Sequence, residues 1–385
     1  MAPFELRWGI IATGGISTQF TKDLVLDPAG RDANDVKHIV KAVGSRSKES
    51  ADKFISAVLP SDLQEGAQGG TYEEVFANPE VDVVYIGTPH TYHYENTMDA
   101  LNAGKHVLCE KPFTFDVEEL DELTALAKKK NLFLMEAVWT RFHPIAYAVQ
   151  DAIFSGKYGK VKRVFADLAF NIEPDKLDAK TNRMIAAELG GGGLLDLGPY
   201  PMVWVMMILH QNPGNKERAP PSSVKGHMRI YERTGVDASS TWIVDWKDVG
   251  TAVCTTSIET QMNLERCVTV QMEGGELTVD FPTFRPEGYT ITPKPANRED
   301  ADPEGEGNAN PDANKTQHHS HPVPESAGRG MNYQADEVAR CIRDGKLESE
   351  RCNLAESRIV QSVFDEVRKQ GGYLGGNAKG KAGTR

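Results

Sequence analysis

Short apolar runs and helix-length segments alternate from Leu6 to Glu136, and no other feature limits the fold of this chain so tightly. The apolar runs are Leu6 to Ala12, Val36 to Val43, Val81 to Thr88, His106 to Cys109 and Phe133 to Glu136. Between them, Ser17 to Leu26, Tyr92 to Ala103 (stopped by Gly104) and Asp116 to Lys130 have helical character. A strand buried on both faces reads as a continuous apolar run, and strands separated by helices pair in parallel. The pattern predicts an α/β chain whose N-terminal domain, residues 1–143, is built on a doubly wound parallel sheet.

After a helix predicted over Ile145 to Gly156 the rhythm changes. Lys160 to Phe170, Ser223 to Tyr231, Ser239 to Asp245, Thr251 to Thr260, Cys267 to Met272 and Gly275 to Phe281 are strand-like and, after Leu209, follow one another without helices. Such a run builds a mainly antiparallel sheet, so residues 144–370 are expected to form an α+β domain for substrate binding and dimerisation. Met331 to Asp344 and Asn353 to Lys369 read as closing helices able to pack back on the first domain. Helices cover one face of that sheet, and a homodimer packed through the other is expected. Residues 371–385 read as a tail. Pro293 to Gly330 reads as a long mobile loop, its His318-His319-Ser320-His321 run is read as solvated, and no metal site is expected.

Bulk composition narrows the partners. The net charge of −12 is spread along the chain without a basic stripe, which argues against nucleic acid. Cys109, Cys254, Cys267, Cys341 and Cys352 are odd in number and hold no CxxC pair, which fits reduced thiols in the cytoplasm. The N-terminus lacks the layout of a signal peptide. Leu194 to Leu209, the longest apolar stretch, is interrupted by Asp196, Gly198 and two prolines, so no membrane span is expected.

Any anionic cofactor must then be held by local donors. Gly9-Ile-Ile-Ala12-Thr13-Gly14-Gly15-Ile16-Ser17 joins the first strand to the first helix and has the shape of a dinucleotide fingerprint, with Ala12 and Ser17 in place of the outer glycines. This makes the first domain a Rossmann domain. After the second strand, where an NAD site carries an acidic residue, the chain has Gly44-Ser45-Arg46-Ser47. A guanidinium flanked by hydroxyls suits a 2′-phosphate, hence NADP.

Chemistry is expected at Lys111, which lies just past the carboxyl end of an apolar strand, where open α/β sheets place their ligands. Asp196 precedes Tyr200 by four residues at a glycine-rich helix start, so both can face one pocket. Glu136, Trp139 and Arg141 follow the last strand of the first domain and are candidate sugar-binding groups.

Trp8 to Ile16, Gly87-Thr88-Pro89-His90-Thr-Tyr-His93, Glu110-Lys111-Pro112, Met135 to Pro144 and Gly191 to Tyr200 together resemble the glucose-fructose oxidoreductase/inositol dehydrogenase (Gfo/Idh/MocA) family. Within it they resemble the branch of fungal NADP-dependent D-xylose dehydrogenases and dimeric dihydrodiol dehydrogenases. The resemblance implies cofactor contacts at Thr88, Pro89, His90, His93, Glu110 and Lys111. Many members carry histidine where this chain has Tyr200, and in the sugar- and dihydrodiol-oxidising members a tyrosine is the acid/base. It also implies oxidation of an aldopyranose, D-xylose to D-xylono-1,5-lactone, with trans-dihydrodiols as the alternative substrate. Tyr200 serves as base if Lys111 brings its pKa well below the reference of about 10. Lys111 can equally be the base, with Tyr200 orienting it, and Asp196 holds either Lys111 or substrate hydroxyls. Some members are dinucleotide-binding regulators, which have no need of the lysine.

Overall fold

In a computed structural model, residues 2–294 and 315–373 are described. The first unit runs β1 (Phe4–Ile11), α1 (Gly15–Leu24), β2 (Val36–Gly44), α2 (Lys48–Val58), α3 (Ser61–Gln64), β3 (Gln68–Gly70), α4 (Tyr72–Ala77), β4 (Val83–Ile86), α5 (His93–Asn102), β5 (His106–Glu110), α6 (Val117–Lys130) and β6 (Leu134–Ala137). Its six strands are parallel in the order β3-β2-β1-β4-β5-β6. The order reverses between β1 and β4, and that switch point opens the crevice in which such sheets bind ligands.

Local chemistry sets the helix ends. Asp116 caps α6 by accepting from Glu119 N at 3.0 Å, and Lys128, Lys129 and Lys130 sit in its last turn, where cations meet the negative end of the helix dipole. Between β2 and β4 the apolar pattern assigns no element. Short, polar α2, α3 and α4 occupy it, held by caps at Ser47 and by a reciprocal Thr71–Glu74 box that periodicity does not register.

The second unit runs β7 (Val161–Ala169) after α7 (Pro144–Phe154), then α8 (Gly193–Leu197), α9 (Pro199–Val205), β8 (Ser223–Ile230), β9 (Asp237–Trp246), β10 (Gly250–Ser257), β11 (Val268–Met272), β12 (Gly275–Val279), β13 (Gly288–Pro293), β14 (Gln317–Ser320), α10 (Asn332–Arg343) and α11 (Leu354–Gly371). Its sheet has the order β14-β13-β12-β11-β7-β10-β9-β8, and only the β7–β10 pair is parallel. Helices α8 and α9 cross β7, β9 and β10, and α11 lies on β8. Trp204, Trp242 and Phe364 fill the space between. The segment Ala187–His210 has the length and hydropathy of a membrane span, but its most apolar 18 residues are buried within the protein.

One sequence expectation needs correction. The stretch 293–330 is not one loop: β14 pairs with β13, and Glu325–Ala327 forms a 3-10 turn whose Ser326 hydroxyl donates to Gly30 O at 2.6 Å. The histidine run begins in that edge strand, which ends at Ser320, with His321 just past it. His319 and His321 stack on Tyr289 with centroids 4.7 and 5.6 Å away, and His318 Nε2 lies 2.9 Å from Asp280 Oδ2, so packing replaces the apolar signal. Residues 295–314 of the expected loop, and 374–385 of the tail, lie outside the described residues. The closing helix α10 packs back on α1, β1 and β2 of the first domain, in line with the reading of the closing helices. There Asp336 accepts from Arg31 Nε and Nη2 at 2.7 and 2.8 Å, and its Oδ1 lies 2.9 Å from His38 Nε2. Trp8 Nε1 donates to the other ring nitrogen of His38 at 3.1 Å, so Nε2 carries the proton.

Asp336→Asn strands the buried Arg31 guanidinium without its counter-charge. Breaking such a pair costs about 3–5 kcal/mol. Urea unfolding should show a loss of this size, and a loss below about 1 kcal/mol would mean the pair does not anchor α10.

Candidate active site

The cofactor turn begins where β1 ends. Ala12 takes the left-handed conformation, φ 73°, with its N–H bonded to Gly44 O at 3.0 Å, so the turn is as tight as the fingerprint requires even without glycine there. A Cβ added at Gly14 or Gly15 would meet nothing within 4 Å, so the ground above the turn is open. Helix α1 starts at Gly15 with its first-turn N–H groups facing that ground, Ile16 among them. At Gly87, past β4, a Cβ would strike Ser17 Oγ at 2.3 Å, which shows how closely the two turns flanking the switch point approach. Thr13 Oγ1 lies 3.2 Å from the hydroxyl of buried Ser45. Arg46 is exposed beside it, and its charge opposes the burial that raises the Tyr72 phenol. An open, amide-lined cradle with a free guanidinium at the end of β2 fits a dinucleotide bearing a 2′-phosphate.

The turn after β4 only partly meets expectation. Thr88 and Pro89 sit at the carboxyl edge, and Thr88 Oγ1 accepts from Asn96 Nδ2 at 3.1 Å. His93 is turned inward and does not face the cofactor ground. Its ring nitrogens lie 2.8 Å from Pro112 O and 2.9 Å from Thr88 O, and burial pushes its pKa down to about 4. Neutral, it carries one N–H, so it donates to one of these carbonyls and packs against the other, between the β4 turn and the turn carrying Lys111. His90 instead reaches the cluster around Lys111 and Asp196, with Nδ1 3.2 Å from Gly190 O and Nε2 3.5 Å from Asp196 Oδ1.

That cluster joins the two units. Lys111, just past β5, donates from Nζ to Asp196 O at 2.6 Å, lies 3.4 Å from Asp196 Oδ1, and stands 4.8 Å from the Tyr200 ring centroid. Asp196 is on α8 and Tyr200 on α9. Both are buried, and Trp139 Nε1 donates to the Tyr200 hydroxyl at 3.3 Å. Burial opposes ionisation of Asp196, yet Lys111, His90 and Arg183 hold its carboxyl well below the usual range. Burial likewise works against the Lys111 ammonium, and the groups around it, the Asp196 carboxylate first, outweigh it, so its pKa rises. Behind Lys111, Glu110 accepts from the Tyr85 hydroxyl at 2.7 Å and is pushed up to about 7, chiefly by burial.

The expected depression of the Tyr200 pKa does not appear. Burial raises the phenol more than Lys111 lowers it, and the Glu110 and Asp196 carboxylates add to the rise. The ammonium faces the ring rather than the oxygen, which limits its effect.

Two candidate sugar-binding residues point elsewhere. Glu136 accepts from Phe113 N at 3.2 Å and from Ser357 Oγ at 2.7 Å, which braces the Lys111 turn from behind. Arg141 is paired with Glu356 and donates to Arg351 O at 2.7 Å, tying the first unit to α11. Trp139 does line the site, stacked 6.1 Å from Phe284, which in turn lies 5.5 Å from Tyr200. Sequence reasoning missed Phe284 and Arg183 because both sit in irregular segments without periodicity or motif. Only the fold carries them to the crevice.

The profile of an oxidoreductase family with an NAD-binding Rossmann fold, GFO_IDH_MocA, matches residues 6–138, and that of the GFO/IDH/MocA C-terminal domain matches 147–278. A D-xylose 1-dehydrogenase (NADP(+)) of Hypocrea jecorina is 37% identical over 380 residues, covering 96% of this chain and 93% of that protein. A trans-1,2-dihydrobenzene-1,2-diol dehydrogenase of Xenopus tropicalis is 31% identical over 365 residues, covering 94% and 97%. The structure of a levoglucosan dehydrogenase in complex with NADH and levoglucosan superposes with a TM-score of 0.78 at 15% identity, covering 96% and 97%, which is a likeness of fold.

The position of Arg46 sets an expectation for cofactor choice. Arg46→Ala should raise the Michaelis constant for NADP far more than that for NAD, by about 1.5–3 kcal/mol, the value of a charge-assisted hydrogen bond to phosphate. Steady-state kinetics with both cofactors decides, and equal losses would remove the arginine from cofactor selection.

Proposed function

Since the chain belongs to the Gfo/Idh/MocA oxidoreductase family, we propose that it oxidises an aldopyranose at C1 with NADP, converting D-xylose to D-xylono-1,5-lactone. The observation that carries this reading is the buried cluster in which the Lys111 ammonium stands over Tyr200 at the switch-point crevice. Near full-length likeness to a D-xylose 1-dehydrogenase supports the substrate. NADP would lie over Gly14 and Gly15 with its 2′-phosphate at Arg46, and its nicotinamide supplies the acceptor for the C1 hydrogen. A protein that only bound the dinucleotide, as a regulator does, would gain nothing from two buried ionisable groups poised together.

Proton transfer falls to this chain's own residues. Lys111 is an ammonium in its ground state, bonded to Asp196 O, and so holds no vacant lone pair. Tyr200, oriented by Trp139, is the acceptor of the sugar hydroxyl proton, and Lys111 stabilises the phenolate that receives it. Because burial raises the phenol, the phenolate is scarce at neutral pH and sugar oxidation should accelerate as pH rises. The phenol form, dominant at neutral pH, suits proton donation in the reverse reaction.

A second reading, oxidation of trans-dihydrodiols to catechols, draws support from the aromatic wall of Trp139, Phe284 and Tyr200, which suits a flat carbocycle as well as the C–H face of a pyranose. An NADP-reduction panel of aldoses and dihydrodiols separates the two.

We further propose a homodimer through the open face of the second sheet. On adjacent strands Ile243, Val253 and Phe165 form an apolar row, with Ile243 42% and Phe165 36% exposed, rimmed by Lys225, Arg163 and Thr241. An apolar centre with a polar rim is the anatomy of a protein interface, and a second copy offers the same patch. The five buried, unpaired cysteines support a cytoplasmic location.

Tyr200→Phe should cost most of the turnover, within the 10²–10⁴-fold typical of a positioned proton acceptor, and leave NADP binding close to wild type. Lys111→Met should be similarly impaired, and the double variant little worse than either. If Tyr200→Phe retains more than about a tenth of turnover, the base role passes to Lys111. For the dimer, sedimentation at micromolar concentration should give twice the chain mass, and Ile243→Lys should shift it to monomer. A wild-type monomer would refute the interface.

A further inference from the structure

The stretch 171–192, which joins β7 to α8, brings Arg183 to the catalytic cluster. Its path is built in. Asn182 Oδ1 accepts from Met184 N at 2.9 Å, and the Asn182 carbonyl accepts from Ile185 and Ala186 at 3.1 and 2.9 Å. Gly192 N donates to Met184 O at 2.8 Å and closes the loop on itself. Gly192 has φ 113°, and a Cβ there would meet Asp237 Oδ1 at 2.2 Å, so this return is reserved for glycine. Folded back over the start of α8, the loop holds Arg183 Nη1 2.6 Å from Asp196 Oδ1 while the arginine side chain stays 54% exposed.

Three nitrogen groups converge on that oxygen. Lys111 Nζ at 3.4 Å and His90 Nε2 at 3.5 Å lie beyond the ordinary 2.7–3.2 Å range, and Arg183 alone is at bonding distance. Burial lowers the pKa of His90 and keeps it neutral, so it adds no full charge. Arg183 is therefore the cation that Asp196 holds most closely. Lys111 spends its strongest hydrogen bond on the Asp196 carbonyl and keeps its ammonium over the tyrosine ring.

We propose that Arg183 is a positioning residue for proton transfer: by occupying Asp196 Oδ1 it keeps Lys111 out of a closed ion pair and leaves the ammonium directed at Tyr200. Without Arg183, a buried carboxylate faces a single full cation and draws Lys111 Nζ toward itself, since opposite charges attract strongly in a poorly screened interior. The support that Lys111 gives the phenolate then weakens. The other ionisable groups facing this cluster are Glu110 at the end of β5, Glu136 on β6, His90 after β4 and Tyr200 on α9, and an Arg183 variant leaves all of them in place.

The inference rests on Tyr200 as proton acceptor, so the test runs Arg183→Met, Arg183→Lys and Tyr200→Phe together, measuring NADP reduction by sugar from neutral to alkaline pH. Arg183→Met should lower kcat on the order of tenfold at neutral pH, displace the alkaline limb upward and change the sugar KM less than kcat. Arg183→Lys should restore both kcat and the limb. An unmoved pH profile in Arg183→Met, a loss confined to KM, or Arg183→Lys behaving like the methionine variant would each overturn the proposal. If Tyr200→Phe is inactive while Arg183→Met titrates as wild type, this inference alone falls. If Tyr200→Phe stays active, the base assignment falls and takes the inference with it. Because Arg183 is half exposed, thermal melting should show all its variants folded.

Discussion

The contact between Lys111 and Asp196 holds the architecture to its purpose. An ammonium from the end of β5 and a carboxylate from α8 meet in the seam between the two units, their side chains 10% and 5% exposed. A buried charge is tolerated only when paired, so Lys111 stays ionised only while the two units remain docked, whereas Asp196 also keeps Arg183 of its own unit at 2.6 Å. The same seam must admit substrate and cofactor. The protein meets both demands by placing the pair at the crevice that the parallel sheet leaves at its switch point.

Around this pair the polar residues divide into those that face the crevice and those that hold it from behind. His93, Glu136 and Glu110 all bond to the backbone of the segment carrying Lys111 or to the turn beside it. They fix the lysine from its rear and sides, as a preorganised site requires. Farther out, Arg141 with Glu356 and Arg31 with Asp336 fasten the C-terminal helices to the nucleotide unit. The last helices of the chain thus brace the first sheet, and the relation between the units is set by buried ion pairs as well as by apolar packing.

The chemistry of Tyr200 is a contest between burial and charge. A phenol enclosed by Trp139 and Phe284 loses solvation on ionising, and one ammonium over the ring does not compensate for that loss. Trp139 donates to its hydroxyl, Phe284 lies against its ring, and Tyr200 is left 9% exposed.

The sequence by itself determined β1, β2, β4, β5 and β6, the cofactor turn, six of the eight described strands of the second unit and the family motifs, because apolar periodicity and glycine-rich turns are local properties of the chain. Lys111, Asp196, Tyr200 and Trp139 were legible for the same reason, each standing at the end of an element or within a motif. Only the tertiary structure decided which way polar side chains turn. His93, Glu136 and Arg141 sit at the carboxyl edge as the pattern requires, yet they spend their hydrogen bonds on backbone and on α11, residues over two hundred positions away for Glu136 and Arg141. Arg183 and Phe284 reach the crevice from irregular segments, and β14 pairs through stacked histidines rather than an apolar run. Periodicity reports which face of an element is buried. What a buried polar group pairs with depends on long-range packing, and no local pattern encodes it.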